Sequence, residues 1–369
     1  SEALSDENIL DPDVGMSIIT PAGRFGTESY AAGQITDAGW GKFDLLINET
    51  WRFSGGARWE DFKQVSVPID YLQFDGSRIP LSVEEIEEST FVEDDWYPSL
   101  SLTYIRPRFW SDDFQLRFAW SETVARPDLR EISDSAYIDP LTEATVRGNP
   151  DLVPSNLKNF DLRAEWFWDS GDNMTVSLFY KDIKSPIETV QREASEDSIV
   201  FSFINADTAE VYGVEFEGLK SLGFLSRGGW TDAFYVAGNA TLSDSEVKIP
   251  ESSAAQPTNF TRRLTQHSKW VVNAQLGFDS PNGKHGATMV YSAFGERIFF
   301  AGIRGFDDAY EQPFHSLDFV YSWFPTENLS LKLRLKNLLD EKVSIEQEGV
   351  KILEQTVGTT FLFDIRYDL

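Results

Sequence analysis

The stretch NLSLKLRLKNL, residues 328–338, carries leucine at positions 329, 331, 333 and 335, with Ser330, Lys332 and Arg334 between them. Successive side chains of a β-strand point to opposite faces, so a strict two-residue rhythm specifies a ribbon with one apolar and one polar side. The rhythm recurs along most of the chain. Phe114, Leu116, Phe118 and Trp120 alternate with polar or small residues; Met174, Val176, Leu178 and Tyr180 form another such face, and Phe361, Phe363, Ile365 and Tyr367 alternate with Leu362, Asp364, Arg366 and Asp368. No segment of helical length shows a sustained apolar period of about 3.6 residues. The fold class is therefore all-β, and the open question is which solvent wets the apolar side.

Thirteen strand-like runs are expected, near 34–46, 51–67, 96–106, 114–126, 157–169, 172–190, 198–219, 230–246, 265–279, 284–298, 312–324, 328–345 and 355–369. Tight polar links at 48–50, 170–173, 280–285 and 325–328 alternate with long irregular stretches at 68–95, 127–156 and 247–264. Short turns on one rim and long loops on the other are the habit of an antiparallel meander crossing an outer membrane. Several runs exceed the mean strand length of soluble sheets and match the ~9–11 residues that a tilted membrane strand needs. Trp51, Trp59, Trp96, Tyr104, Trp120, Tyr180, Trp270 and Trp323 fall near strand ends, where interfacial aromatics belong. Each alone also fits ordinary core packing; their repetition favours lipid.

Composition removes other classes. The 369 residues hold 60 acidic against 32 basic side chains, a formal charge of -28, which repels a nucleic-acid backbone. Aromatic residues make up 14%, too many for a disordered acidic chain. There is no cysteine, so disulfide scaffolds, thiol nucleophiles and Cys-based zinc sites are excluded. Five Asn-x-Ser/Thr triplets, at Asn48, Asn173, Asn239, Asn259 and Asn328, are read as chance matches because several lie inside strands. No window reaches the ~20 apolar residues of a spanning helix, and the opening SEALSDENIL lacks the basic and apolar regions of a signal peptide. His267, His285 and His315 show no metal-binding spacing, and no nucleophile elbow or phosphate loop is present, so the chain reads as no enzyme.

The motifs SETVARPDLREIS (121–133), GNPDLVPSNLKNFDLRAEWFW (148–168), VSLFYKDIKSPIE (176–188), VYGVEFEG (211–218) and LKLRLKNLLDEKV (331–343) resemble, in order and spacing, the C-terminal half of TonB-dependent outer-membrane receptors. The resemblance implies an antiparallel transmembrane β-barrel of 22 strands, filled by an N-terminal plug, that imports scarce nutrients with energy passed on by TonB. It also implies residence in the bacterial outer membrane with loops on the cell surface. Its expected partners are TonB through the plug, outer-membrane lipid, a small nutrient ligand (siderophore, cobalamin, oligosaccharide or peptide) and a surface lipoprotein. No plug or energy-coupling box is legible before residue 28, and Ser155 and Leu369 stand where the family more often has an acidic and an aromatic residue. Residues 1–33 are accordingly expected to be an extracellular loop segment or linker. Residues 34–369 are expected to be roughly strands 10–22 of the barrel, with the plug and the preceding strands on another chain.

On the expected lumen face stand Arg58, Arg117, Arg163, Lys181, Lys332 and Arg334 beside Glu60, Asp161, Glu165, Asp318 and Asp364. The bland account is a solvated wall with lateral ion pairs; the functional one is contact with plug or passing ligand. FVEDDWYP, residues 91–98, is expected to lie in a long loop, where Glu93, Asp94 and Asp95 could hold Ca²⁺ and Trp96 or Tyr97 could stack on a sugar ring. In RIFFAGIRGFDDAY, residues 297–310, Phe299, Phe300, Arg304 and Phe306 are the expected ligand contacts at the outer rim. For both stretches a loop indifferent to ligand is the competing account. Acidic loops disfavour a bare anionic siderophore, although Arg297 and Arg304 oppose that tendency. A passive porin and a secreted β-rich polysaccharide-binding protein or glycosidase remain the alternative functions.

Overall fold

The computed structural model describes residues 29–69, 83–140, 144–195, 198–226, 230–251 and 256–368. Most of the expected leading segment, and parts of the three long stretches expected between strands, lie outside the described residues. The first hairpins are β1 (Ser29–Ile47), β2 (Trp51–Ile69), β3 (Thr90–Pro107) and β4 (Asp113–Ala125), with a short helix, Val83–Glu88, before β3. Then come β5 (Ala136–Ile138), β6 (Thr145–Arg147), β7 (Ser155–Phe167), β8 (Asn173–Lys184), β9 (Ile187–Ser195), β10 (Ser198–Asn205) and β11 (Thr208–Ser221). They are followed by β12 (Phe234–Lys248), β13 (Thr261–Arg262), β14 (Trp270–Asp279), β15 (His285–Phe294), β16 (Arg297–Phe300) and β17 (Ala309–Glu311). The last are β18 (Phe314–Thr326), β19 (Leu329–Lys336), β20 (Lys342–Gln347), β21 (Val350–Thr356) and β22 (Thr360–Tyr367).

One large antiparallel sheet runs β1-β2-β3-β4-β7-β8-β11-β12-β14-β15-β18-β19-β22, with β13 attached to β12. The thirteen strands on this path match the expected runs in number and order. Five of those runs end earlier than the alternation suggests. The run 172–190 stops at Ser185, which has φ 51° and precedes Pro186, whose missing N–H cannot continue a ladder. The run 328–345 stops at Asn337, with φ 51°. Asn337 Oδ1 accepts from Glu341 N at 3.0 Å, and its amide donates to Glu341 O at 3.1 Å and Gly358 O at 3.2 Å. The runs 198–219, 284–298 and 355–369 are likewise interrupted, and the freed pieces pair with one another and with β5, β6 and β17. They form two small sheets, β5-β6-β10-β9 and β16-β17-β20-β21, on the long-loop rim.

Register settles the faces, because residues directly opposite in an antiparallel ladder share a side. Arg117, Arg163, Ser177 and Glu215 form one polar row, and Phe118, Leu162, Leu178 and Val214 the apolar row on the other face. All eleven charged residues expected on the lumen side fall on the polar face by the same pairing. They engage in lateral pairs such as Arg163 Nε–Glu165 Oε1 at 3.0 Å and Arg334 Nη2–Asp364 Oδ2 at 2.6 Å.

The apolar face is bounded by two aromatic belts. On the short-turn side Trp51 meets Tyr104 at 4.9 Å between ring centroids, and Phe109, Phe114 and Trp166 continue the line. Phe234 packs on Phe278 at 4.8 Å, and His285 stacks on Trp323 at 6.2 Å. On the long-loop side Phe160 meets Tyr180, and His315 lies against Trp270 and Tyr291. His315 and Trp323 are eight residues apart on β18, about 27 Å along the strand. A tilt of roughly 40° reduces this to about 20 Å, close to the ~25 Å apolar band of outer-membrane barrels.

Candidate functional site

The long-loop rim is folded inward. Ile183 on β8, Ala209 on β11 and Val247 on β12 continue the polar-face positions of their strands beyond the belt. Val190, Ile204, Ala206 and Ile249 join Ala209 and Val247 in a buried cluster, with Ile183, Phe260 and Leu264 packed against it. A second cluster, Ile132, Val146, Leu152 and Phe203, is built from the β4–β7 connection and β10. Gly148 permits this packing, because a Cβ there would lie 2.0 Å from the Ser133 carbonyl oxygen. Asn149 Nδ2 donates to Phe203 O at 2.9 Å, while Asn205 accepts from Val153 N and donates to Val153 O, both at 2.9 Å. The resembling segment GNPDLVPSN is therefore the clasp that ties one long connection to the next.

Charge is concentrated inside this vestibule. Arg262 Nη1 contacts Glu188 Oε2 at 2.8 Å with both side chains 3% exposed. Burial pushes the Glu188 carboxyl above its ordinary range, and Arg262 pulls it back. Arg262 Nε and Nη2, Arg263 Nη1 and Arg192 Nε are buried without a hydrogen-bond partner among the described residues. His267 is held by Ser243 Oγ at 2.9 Å on Nε2 and by Ser245 Oγ at 2.7 Å on Nδ1. Burial lowers the tendency of this imidazole to protonate; Asp244 opposes that effect and Arg263 adds to it.

Arg126, at the mouth of the wall, forms a further node. Its Nη1 donates to Glu60 Oε2 at 2.7 Å and its Nη2 to Tyr97 Oη at 3.2 Å. The guanidinium carbon lies 4.1 Å from the Phe62 ring centroid, and Nε is 3.6 Å from Glu93 Oε2. Sequence reasoning did not single out Arg126, although it sits inside the quoted motif VARPDLRE.

The stretch 91–98 belongs to β3 rather than to a loop, which corrects the expectation for it. Alternation sends Trp96 to the apolar face, 60% exposed, and Tyr97 to the polar face beneath Arg126. The pair is not one stacking platform. Glu93 and Asp95 face the polar side and Asp94 the other. Among the described residues no group of three or more His, Asp or Glu side chains is arranged to hold a metal, so the three carboxylates expected to share a calcium ion do not converge. Phe299 and Phe300 lie on β16; Phe300 packs on Phe201 of the other small sheet at 5.7 Å, and Gln266 N donates to Ile298 O at 2.8 Å. Arg304, with φ 59°, and Phe306, 56% exposed, stand on the turn between β16 and β17. Thus the structure splits the second set into an inter-sheet contact and an exposed tip.

A family model described as TonB dependent receptor-like, beta-barrel, matches residues 6–338. Among solved structures, the ferric yersiniabactin uptake receptor FyuA from Yersinia pestis is similar at 15% identity and a TM-score of 0.61, covering 92% of this chain and 46% of that one. The ferric-catecholate import receptor Fiu from E. coli K12 is similar at 13% identity and 0.61, with 92% and 45% covered. The copper transporter OprC is similar at 14% identity and 0.61, with 91% and 48% covered. No curated protein matches. The chain spans about half the length of these structures, and likeness at such identities carries the fold alone.

Proposed function

Because the chain belongs to the TonB-dependent receptor-like β-barrel family, we propose that it forms wall and ligand-capturing vestibule of an importer in the bacterial outer membrane. In this reading lipid covers the belted apolar face, the long-loop rim lies at the cell surface, and the polar face lines the passage. A plug domain and TonB supply the gate and the energy, and the chain itself performs no chemistry. The observation that carries the reading is the inward fold of the long connections over the polar face, sealed by the cluster around Val190 and Val247. An open diffusion pore has no use for buried apolar clusters across its mouth, whereas a receptor needs a shaped surface that holds ligand until the gate moves. The exposed tip of Arg304 and Phe306 is assigned to ligand capture, and the buried guanidiniums around Arg262 to holding the vestibule's shape. The nutrient is a small molecule; a surface lipoprotein is a further proposed partner.

The test is uptake by cells carrying the whole receptor, with and without TonB, together with mass spectrometry of small molecules that co-purify in detergent. Accumulation of a co-purifying compound that depends on TonB is the expected result. Steady ion conductance in planar bilayers with uptake indifferent to TonB would replace the importer by a passive porin.

A further inference from the structure

Two connections on the short-turn rim carry apolar side chains past the belt. In the β3–β4 turn Trp110 is 80% exposed and stacks on Phe109 at 5.0 Å between ring centroids. Phe109 in turn packs on the belt residue Phe114 at 4.9 Å. In the β11–β12 connection Trp230, 75% exposed, meets Phe234 edge-on at 5.4 Å, and Phe224 and Leu225 are exposed in the same connection. Phe114 and Phe234 face outward by register, so the surface that begins at the belt continues through ring contacts into both turns. The β3–β4 turn holds a defined shape. Arg108 and Trp110 sit at φ 57° and 59°, left-handed values that residues with a Cβ seldom adopt. Arg108 N donates to Asp112 O at 2.9 Å, Asp112 N to Phe167 O at 3.0 Å, and Ser111 Oγ to Asp113 O at 2.7 Å.

The cations of this turn have no internal partner. Arg106 lies directly opposite Phe114 and therefore on the outward face, with its guanidinium carbon 5.0 Å from the Phe109 ring centroid. Stacking on a ring leaves the N–H edge of a guanidinium open to an oxyanion. Among the described residues neither Arg106 nor Arg108 has a carboxylate within ion-pair reach. The nearby carboxylates are engaged or face away: Asp112 Oδ2 accepts from Asp169 N at 2.7 Å, and Asp113 belongs with Gln115 and Arg117 on the polar face of β4. In the β11–β12 connection the cation is taken, because Lys220, 5.5 Å from the Phe224 centroid, pairs with Asp172. The long-loop rim has the contrary sign. Its outward row, Glu122, Lys158, Asp182, Glu210 and Glu246, sets four carboxylates against one ammonium.

We propose that the β3–β4 turn is a headgroup site for an anionic glycerophospholipid of the periplasm-facing leaflet. The β11–β12 connection is an apolar foot in the same leaflet, roughly 19 Å along the rim at ~4.8 Å per strand. Arg106 takes the phosphodiester through its open N–H edge. Arg108 adds a second positive charge, which disfavours a headgroup that ends in an ammonium. Trp110 lies at the level of the glycerol, where an indole meets apolar and polar neighbours together. The proposal rests on the reading that lipid covers the apolar face, and it adds the chemistry of the lipid bound at one rim.

The experiment uses the whole receptor purified in detergent and titrated, in native mass spectrometry, with phosphatidylglycerol or phosphatidylcholine carrying the same acyl chains. Phosphatidylglycerol is expected to bind at least about five-fold more tightly, the factor that one basic residue supplies at an anionic surface. Arg106→Gln is expected to abolish the preference and Arg106→Lys to keep most of it. Arg52→Gln is the control: Arg52 lies at the same rim on the polar face, its Nε 2.9 Å from Asp44 Oδ1, and its loss should leave the preference unchanged. Heat-modifiable gel migration verifies that each variant has folded. The chain has no cysteine, so Trp110→Cys introduces one thiol into it for a nitroxide label. In phosphatidylglycerol liposomes that label is expected to collide more often with dissolved oxygen than with a water-soluble nickel chelate. Equal binding of the two lipids overturns the proposal, as does an effect of Arg52→Gln equal to that of Arg106→Gln, or a label freely open to the chelate. Arginine at the outward position Leu178 tests lipid cover itself. If it is tolerated, the lipid reading falls and the headgroup site with it; if it is rejected while both lipids bind equally, the headgroup site alone falls.

Discussion

Leu178 stands near the middle of the apolar face, 51% exposed, two residues from the belt residue Tyr180 and four from Met174 at the other end of its strand. If hydrocarbon is its solvent, Leu178→Arg places a guanidinium near the bilayer midplane, at a cost of about 2–4 kcal/mol. If water is its solvent, the same change at a half-exposed surface leucine stays within roughly 0.5 kcal/mol. The two expectations differ by at least about 1.5 kcal/mol, more than ten-fold in the unfolding equilibrium. The assay is reversible urea unfolding of the whole receptor in liposomes, followed by tryptophan fluorescence. Asn239→Arg is the control: Asn239 faces the polar side and accepts one hydrogen bond, from Asn273 at 2.9 Å, so its loss is limited to about 0.5–1.5 kcal/mol. Leu178→Ala covers the case in which the arginine variant fails to assemble, since it removes apolar contact without adding charge. An arginine at 178 that costs no more than the arginine at 239 refutes the assignment of the apolar face to lipid.

Arg262→Met leaves the Glu188 carboxylate buried without its partner and should destabilise the vestibule by about 3–5 kcal/mol, read as faster amide exchange in β9. Combining it with Glu188→Gln should recover most of that loss, and equal exchange in single and double variants would show the pair to be uncoupled. For His267 the folded form binds its proton less readily than an ordinary imidazole, whose value is 6.5. Stability from the neutral ring is thus complete above that value and declines as pH falls below it toward the lowered folded value. Exchange protection of residues 256–269 should fall on acidification through that window, and His267→Gln should flatten the dependence. Asn337→Ala forfeits the amide bonds to Glu341 and Gly358 and holds a Cβ residue at φ 51° without local support, costing about 1–3 kcal/mol by urea unfolding. Asn337→Gly relieves the backbone and should recover part of the loss.

The wall strands were legible because their period of two is unbroken between the belts, where each side chain sees only lipid or lumen. Beyond the belts the same rhythm continues in β9, β10, β20 and β21, yet Ser185 and Asn337 turn the chain by single left-handed residues that alternation does not register. Pro186 was the visible warning for the first break, and Asn337 within KNLLDE for the second. The site was less legible. Trp96 and Tyr97 read together as a platform only while 91–98 counts as loop; extending the period of two by a few residues upstream already assigns them to opposite faces. Arg126 escaped because its partners Glu60, Glu93 and Tyr97 come from three other sequence positions joined only by register. Like-charge adjacency of Arg117 and Arg163 is invisible in the chain for the same reason, since it arises from pairing across a connection of 29 residues, 126–154.

What the alternation cannot name, the sheet does. Register links Phe53, Leu102, Phe118, Leu162, Leu178, Val214, Leu242 and Trp270 into one row across eight neighbouring strands. At ~4.8 Å per strand the row is on the order of 34 Å wide. With the belts about 20 Å apart in height, the continuous apolar field is on the order of 700 Å², above the few hundred Å² that soluble monomers leave in contact with water. Leu102 and Val214 aside, its central members are not covered by any other part of the described chain: Phe118, Leu162, Leu178 and Leu242 are 47%, 41%, 51% and 53% exposed. A second sheet packed on that face would have buried them, as sandwich cores do. The clusters of buried apolar residues lie instead on the opposite side, around Val190 and Phe203. A field this wide, flanked by aromatic belts and left uncovered while the loops bury their own apolar residues elsewhere, is matched by hydrocarbon and by no aqueous surface.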